Sequence, residues 1–114
     1  MTKAELIKKE KAKFNKILKE LDSDKKKSLE TAVENAAWMA VSLAELRSII
    51  DRDGYVETYQ NGENQSGTKD SVAVRTFNNM IKNYNATVKM ILDQLSPGDS
   101  QKAGGELAKF LMRK

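Results

Sequence analysis

Apolar residues recur every three to four positions through most of the chain, and three stretches hold that rhythm long enough to specify helices. In residues 3–21, Leu6, Ile7, Phe14, Ile17, Leu18 and Leu21 share one side of a helix. Asp22-Ser23-Asp24 follows. Its side-chain acceptors suit the unpaired N–H groups of a helix start and its charges suit the positive end of the helix dipole, so it predicts a break between helices. A second helix is predicted from about Lys25 or Ser28 to Arg52, because Leu29, Ala32, Val33, Ala36, Met39, Ala40, Leu43, Leu46 and Ile50 keep the spacing. Asp53-Gly54 should end it, since glycine past a helix end adopts positive φ without steric cost.

The rhythm then changes. Tyr55, Glu57 and Tyr59 alternate with Val56 and Thr58, and Asn61-Gly62 follows. Alternation of this kind reads as a strand, and Asn-Gly is a strong signal for a two-residue hairpin turn, so a small β-hairpin is expected over about 55–68. A lone hairpin is marginal and must lean on helices or on another chain. A third helix is predicted over 71–95, capped by Asp70 or Ser71. Its face carries Val74, Phe77, Met80 or Ile81, Tyr84, Val88, Ile91, Leu92 and Leu95. It should close at Ser96-Pro97-Gly98, where proline blocks the helix. In the tail, Leu107, Phe110 and Leu111 mark the apolar edge of a short terminal helix.

The predicted fold is therefore mainly α: two long antiparallel helices joined by a small β-hairpin, with a short basic helix before them and a short helix after. The expected divisions are the basic helix over 1–22, the helical hairpin over 23–97 and the tail over 98–114. The two long helices should each run about 25 residues, or near 37 Å at about 1.5 Å per residue.

One flank of the second helix exceeds what a single contact needs. Trp38, Val41 and Ile49 fall outside the main stripe, so the helix is apolar on two sides. Either a third helix covers that flank or a neighbouring subunit does. The alanines 32, 36, 37, 40 and 44 would admit a close neighbour in both cases.

Length and composition narrow the class. A chain of 114 residues supports one modest core. With 39% apolar and 32% charged residues, the apolar positions must lie in stripes. There is no cysteine and no histidine, which removes disulfides, thiolate metal sites, a cysteine nucleophile and the usual general base. No run of about 20 apolar residues suggests a membrane span, and the start lacks the apolar stretch of a signal peptide, so a cytoplasmic protein is the default.

Charge is unevenly spread. Residues 1–27 hold ten lysines against five acids, a balance of +5, whereas the remainder balances at −1. On the first helix Lys8, Lys9, Lys16 and Lys19 gather opposite the apolar stripe and form a basic ridge. Such a ridge suits a phosphate backbone, whose neutralisation releases counterions, or simply keeps the helix solvated.

Catalytic motifs are missing. Asp51 with Asp53, and Asp93 alone, are the nearest candidates, and neither set defines a metal site or an acid–base pair. There is no phosphate-binding loop, nucleophile elbow or dinucleotide fingerprint. Catalytic, metal and cofactor residues are therefore all expected to be none.

The order of elements carries a resemblance. The segments AKFNKILKEL, LETAVENAAWMAVSLAELRSII, GYVETYQNGENQSG and ILDQLSP follow one another in the manner of the P27-type small subunits of phage terminases. An aromatic-containing first helix precedes a long helix opening with a Leu-Glu pair, here Leu29-Glu30. A polar turn around Gly62 and a helix closing over Leu92 to Pro97 complete the pattern, which covers roughly residues 12 to 100. The chain departs from it in carrying Asp70-Ser71 where members commonly have Asn-Pro, and in a shorter N-terminal region with a single basic helix.

The resemblance implies a non-enzymatic assembly factor of the host-cell cytoplasm. Such a factor forms a homo-oligomeric ring, binds double-stranded viral DNA and regulates the large subunit that holds the ATPase and nuclease. On that reading Lys8, Lys9, Lys13, Lys16, Lys19, Lys25, Lys26 and Lys27 contact DNA phosphates, and Trp38, Val41 and Ile49 contact neighbouring subunits. The alternative expectation is a helical protein-interaction or regulatory module that binds no nucleic acid.

Overall fold

The computed structural model of the chain describes residues 1–60, 62 and 66–95. Its elements are α1 (Lys3–Ile17), α2 (Ser23–Asp53), β1 (Val56–Gln60), β2 (Ser66–Asp70) and α3 (Val72–Leu92), and the fold is mainly helical, as the spacing predicts. The terminal helix expected around Leu107, Phe110 and Leu111 lies outside the described residues.

Helix α1 starts on Thr2, whose hydroxyl accepts from the Glu5 N–H. It ends four residues sooner than the apolar spacing suggests, at Ile17. The Leu18 N–H still donates to the Phe14 carbonyl, and Leu21 then bonds back to Leu18. Leu18 and Leu21 stay buried although they sit in a turn, because the turn folds them under the helix end. The break therefore falls between Ile17 and Asp22. Asp22 itself is the cap of α2, accepting from the Lys25 N–H at 2.9 Å, so α2 begins earlier than expected.

The two long helices are unequal. Helix α2 has 31 residues and α3 has 21, against an expected 25 for both. Helix α3 is capped by Ser71, whose Oγ accepts from the Val74 N–H at 3.1 Å. At its other end the backbone turns from Asp93 to Leu95.

Gly54 closes α2 with φ 86° and ψ −174°, its N–H donating to the Ile50 carbonyl at 2.7 Å. This is an extended positive-φ conformation, not the left-handed helical one, and it sends the chain straight into β1. The strands pair antiparallel from Val56↔Asp70 to Gln60↔Ser66. Residues 61–65 thus connect them, where a two-residue Asn61-Gly62 turn would have paired Gln60 with Glu63. Asn61 lies outside the described residues. In this register Tyr59 faces Gly67, and a Cβ added to Gly67 would come within 3.1 Å of the Tyr59 hydroxyl. Glycine at that register position makes room for the ring.

Helix α1 runs antiparallel to α2, as the ion pairs Lys3–Glu45 and Lys11–Glu34 require. Its apolar face enters the main core. Phe14, Ile17 and Leu18 join Leu29, Val33, Ala36 and Leu43 of α2 and Tyr84, Val88 and Ile91 of α3. The N-terminal helix is therefore one wall of a three-helix core and not a separate basic appendage to a helical hairpin. Beyond Glu45, beside which α1 begins, α2 and α3 continue together towards the β-hairpin and give a rod of 63 × 27 × 24 Å.

Candidate nucleic-acid interface

Packing α1 by its apolar stripe divides its lysines into two groups. Those beside the stripe meet acids of the same molecule. Lys3 bonds Glu45 at 2.8 Å, Lys11 approaches Glu34 at 3.4 Å, and Lys13 is held by Glu10 at 2.7 Å. The Lys13 ammonium, expected among the phosphate contacts, is thus already paired and only partly exposed.

The second group faces solvent. Lys8, Lys9 and Lys16 lie exposed along the outer side of α1, and Lys19 is exposed in the turn after it. Lys25, Lys26 and Lys27 are exposed over the first turns of α2, directly past that turn. Among the described residues Lys8, Lys9, Lys19 and Lys25 to Lys27 make no ion pair. Seven of the eight candidate lysines are therefore exposed, on the outside of α1, in the turn after it and over the first turns of α2. Clustered ammonium groups at this exposure attract polyanions without reading base sequence.

The candidate subunit-contact residues do not lie on one surface. Trp38 is 47% exposed and Ile49 37%, but Val41 is 6% exposed and is buried within the chain. On the same part of α2, Lys3 at the start of α1 reaches Ser42 Oγ at 3.0 Å and lies 4.6 Å from the Trp38 ring. Helix α1 thus covers part of the flank itself, and Val41 is removed from the expected interface.

A feature that the residue spacing does not reveal lies at the other end of the rod. Where α1 stops short, an open groove of about 450 Å³ lies between the last turns of α2 and the first turns of α3. Ile50, Tyr55, Val74 and Phe77 line it, with Arg47, Asp51 and Asn78. The Arg47 guanidinium lies 5.9 Å from the Phe77 ring. Val74, Phe77 and Ile50 read as core positions from their spacing, and only the length of α1 leaves them uncovered.

The acidic candidates are dispersed. Asp53 accepts two bonds from Arg52, both 2.8 Å, and this hydrogen-bonded pairing lowers the Asp53 carboxyl pKa. Asp93 bonds Lys89 at 2.8 Å, and Asp51 lines the groove. Among the described residues no three acidic, histidine or cysteine side chains come together in a way that could hold a metal ion. No helix among them is long and apolar enough to cross a membrane. No family model, curated protein or solved structure matches the chain.

Proposed function

We propose that this chain acts as a small terminase subunit: a non-enzymatic, homo-oligomeric packaging factor. In this role it holds double-stranded viral DNA through phosphate contacts and presents it to the large ATPase–nuclease subunit in the host cytoplasm. The observation that supports this reading best is the sorting of lysines. Intramolecular acids pair with Lys3, Lys11 and Lys13, while Lys8, Lys9, Lys19, Lys25, Lys26 and Lys27 are exposed and make no ion pair among the described residues. Each phosphate neutralised by such lysines releases counterions, so binding should weaken steeply with salt. Trp38 and Ile49 remain the apolar positions on α2 suited to a neighbouring copy.

The test is a gel-shift titration of Lys9→Glu/Lys16→Glu/Lys19→Glu against the parent on duplex DNA at several salt concentrations. Lower affinity and a shallower salt slope are expected. Unchanged affinity and slope would remove the DNA assignment. A second reading, an interaction module without nucleic acid, draws on the apolar groove at the opposite end of the rod. Light scattering separates the two: a ring of many copies that shifts DNA favours the packaging factor, and a monomer or dimer indifferent to DNA favours the module.

A further inference from the structure

Arg47 and Asp51 stand about one helical turn apart on α2, both exposed at the lip of the apolar groove. Among the described residues neither makes an ion pair, and the Arg47 guanidinium lies 5.9 Å from the Phe77 ring. A cation and an anion at this spacing are complementary to themselves. A second α2 laid antiparallel across a two-fold axis sets each Arg47 against the other copy's Asp51, whereas a parallel copy in register sets like charges together. We propose that the groove is the contact surface for a second copy of this chain. The two copies pack face to face and antiparallel, α2 on α2 and α3 on α3, about a two-fold axis that crosses α2 level with residue 49.

The space left by α1 centres on the same level. Helix α1 begins beside Glu45, where Lys3 bonds it at 2.8 Å, and α2 ends at Asp53, so residues 46–53 of α2 have no α1 beside them. Two copies related at residue 49 overlap along that stretch, and the end of each α2 arrives level with the start of the other's α1. Each copy thus fills the place that α1 leaves open in its neighbour. Helix α3 agrees. The Ser71 N–H donates to the Tyr55 carbonyl at 3.0 Å, and equal steps back along α2 and forward along α3 from that bond put Phe77 about level with residue 49. Phe77 therefore sits close to the axis and meets its own counterpart, flanked by Ile50 and Val74. Aromatic and arginine side chains are the types enriched at the centres of protein interfaces. Ile49 itself points roughly 150° away from the mean direction of Arg47, Ile50 and Asp51, at about 100° per residue, and Trp38 shares its side. The contact is thus separate from the Trp38 and Ile49 surface and does not rest on DNA binding.

Energy transfer between copies of the full-length chain tests this. The chain has no cysteine, so Asn79→Cys supplies a single labelling site, exposed on α3 and turned away from the groove. Donor-labelled and acceptor-labelled parent should show transfer that rises with protein concentration. Arg47→Glu alone and Asp51→Arg alone each place like charges across the axis, and each should need at least about tenfold more protein for half-maximal transfer. Donor-labelled Arg47→Glu mixed with acceptor-labelled Asp51→Arg regains both opposite-charge contacts and should return to within about threefold of the parent. Rescue between two chains cannot arise from an interaction within one helix, and it requires both variants to be folded. The proposal is overturned by a parent that shows no concentration-dependent transfer, by single variants that behave like the parent, or by a mixture that stays as weak as its components. No DNA is present, so each outcome is independent of the gel-shift result.

Discussion

The Lys3 ammonium lies 4.6 Å from the centre of the Trp38 ring while bonding Ser42 Oγ at 3.0 Å and Glu45 Oε1 at 2.8 Å. One side chain at the start of α1 thereby ties that helix to three successive positions on one stripe of α2. Each contact is weak because the groups are part-exposed, but together they fix where α1 ends and hence how much of α2 stays uncovered. Lys3→Ala should destabilise the protein by about 0.5–1 kcal/mol and alter the emission of the single tryptophan. Lys8→Ala, which removes an exposed lysine of the same helix, should do neither. Urea midpoints and fluorescence spectra of the two variants check this. Identical spectra for Lys3→Ala and the parent would show that Lys3 does not hold Trp38 in solution.

Phe14 ties α1 to the rest of the molecule more strongly. It is fully buried, and its cluster includes residues of all three helices. Phe14→Ala should cost about 3–5 kcal/mol, a large part of the 5–15 kcal/mol typical of a domain's total stability. Leu6→Ala, at a 39% exposed position on the same helix, should cost well under half as much. Thermal melts followed by circular dichroism should show one cooperative transition shifted downward. An α1 that melts separately, leaving α2 and α3 helical, would mean the helix is an appendage after all.

Most of this architecture is legible in the pattern of apolar residues. Helical spacing identifies α1, α2 and α3, and alternation at Tyr55 to Tyr59 identifies β1. What the spacing cannot supply is the relation between elements. Val41 looks like surplus apolar surface until the chain is folded, and the Gln60↔Ser66 register, which sets Tyr59 opposite Gly67, is a relation between two strands that neither strand's spacing specifies. The exposure of the lysines was legible for a similar reason in reverse. Exposed lysines need no partner to be recognised, whereas Lys13 could be discounted only once Glu10 was seen to hold it. The groove was not legible at all, since it arises where one helix ends and not from any residue type.

The two constrained glycines should respond differently to alanine. Gly54 has φ 86° with open space around it, so its constraint is purely in the backbone. Gly54→Ala should cost about 1–3 kcal/mol, because the extended positive-φ region is closed to residues with a Cβ. Gly67→Ala should cost less than 1 kcal/mol. Its new Cβ meets only the outer atoms of the Tyr59 ring, which can swing towards solvent. Denaturant midpoints of the two variants give the comparison, and a larger loss for Gly67→Ala would mean that the ring is held more firmly than its exposure suggests.

Tyr84 makes the fold sensitive to alkaline pH. Burial, and secondarily the negative Glu10 carboxylate, push its phenol up from 10.0 to about 12. Between those values the folded chain keeps a proton that the unfolded chain has lost. Stability attributable to Tyr84 is therefore fully present below pH 10 and declines as pH rises from about 10 to 12. Its slope approaches at most one proton, about 1.4 kcal/mol per pH unit. Tyr84→Phe has no phenol to ionise. Although the variant starts from a different baseline, its urea midpoint should fall less steeply than the parent's across this window. Glu10→Gln should leave the onset near pH 10, which the unfolded chain sets, but end the decline at a lower pH and reduce the total loss, because removing the nearby negative charge makes the folded-state phenolate easier to form. Parallel pH profiles for the parent and Tyr84→Phe would show that the phenol reaches solvent in the folded protein, and the burial of Tyr84 in the three-helix core would then have to be abandoned.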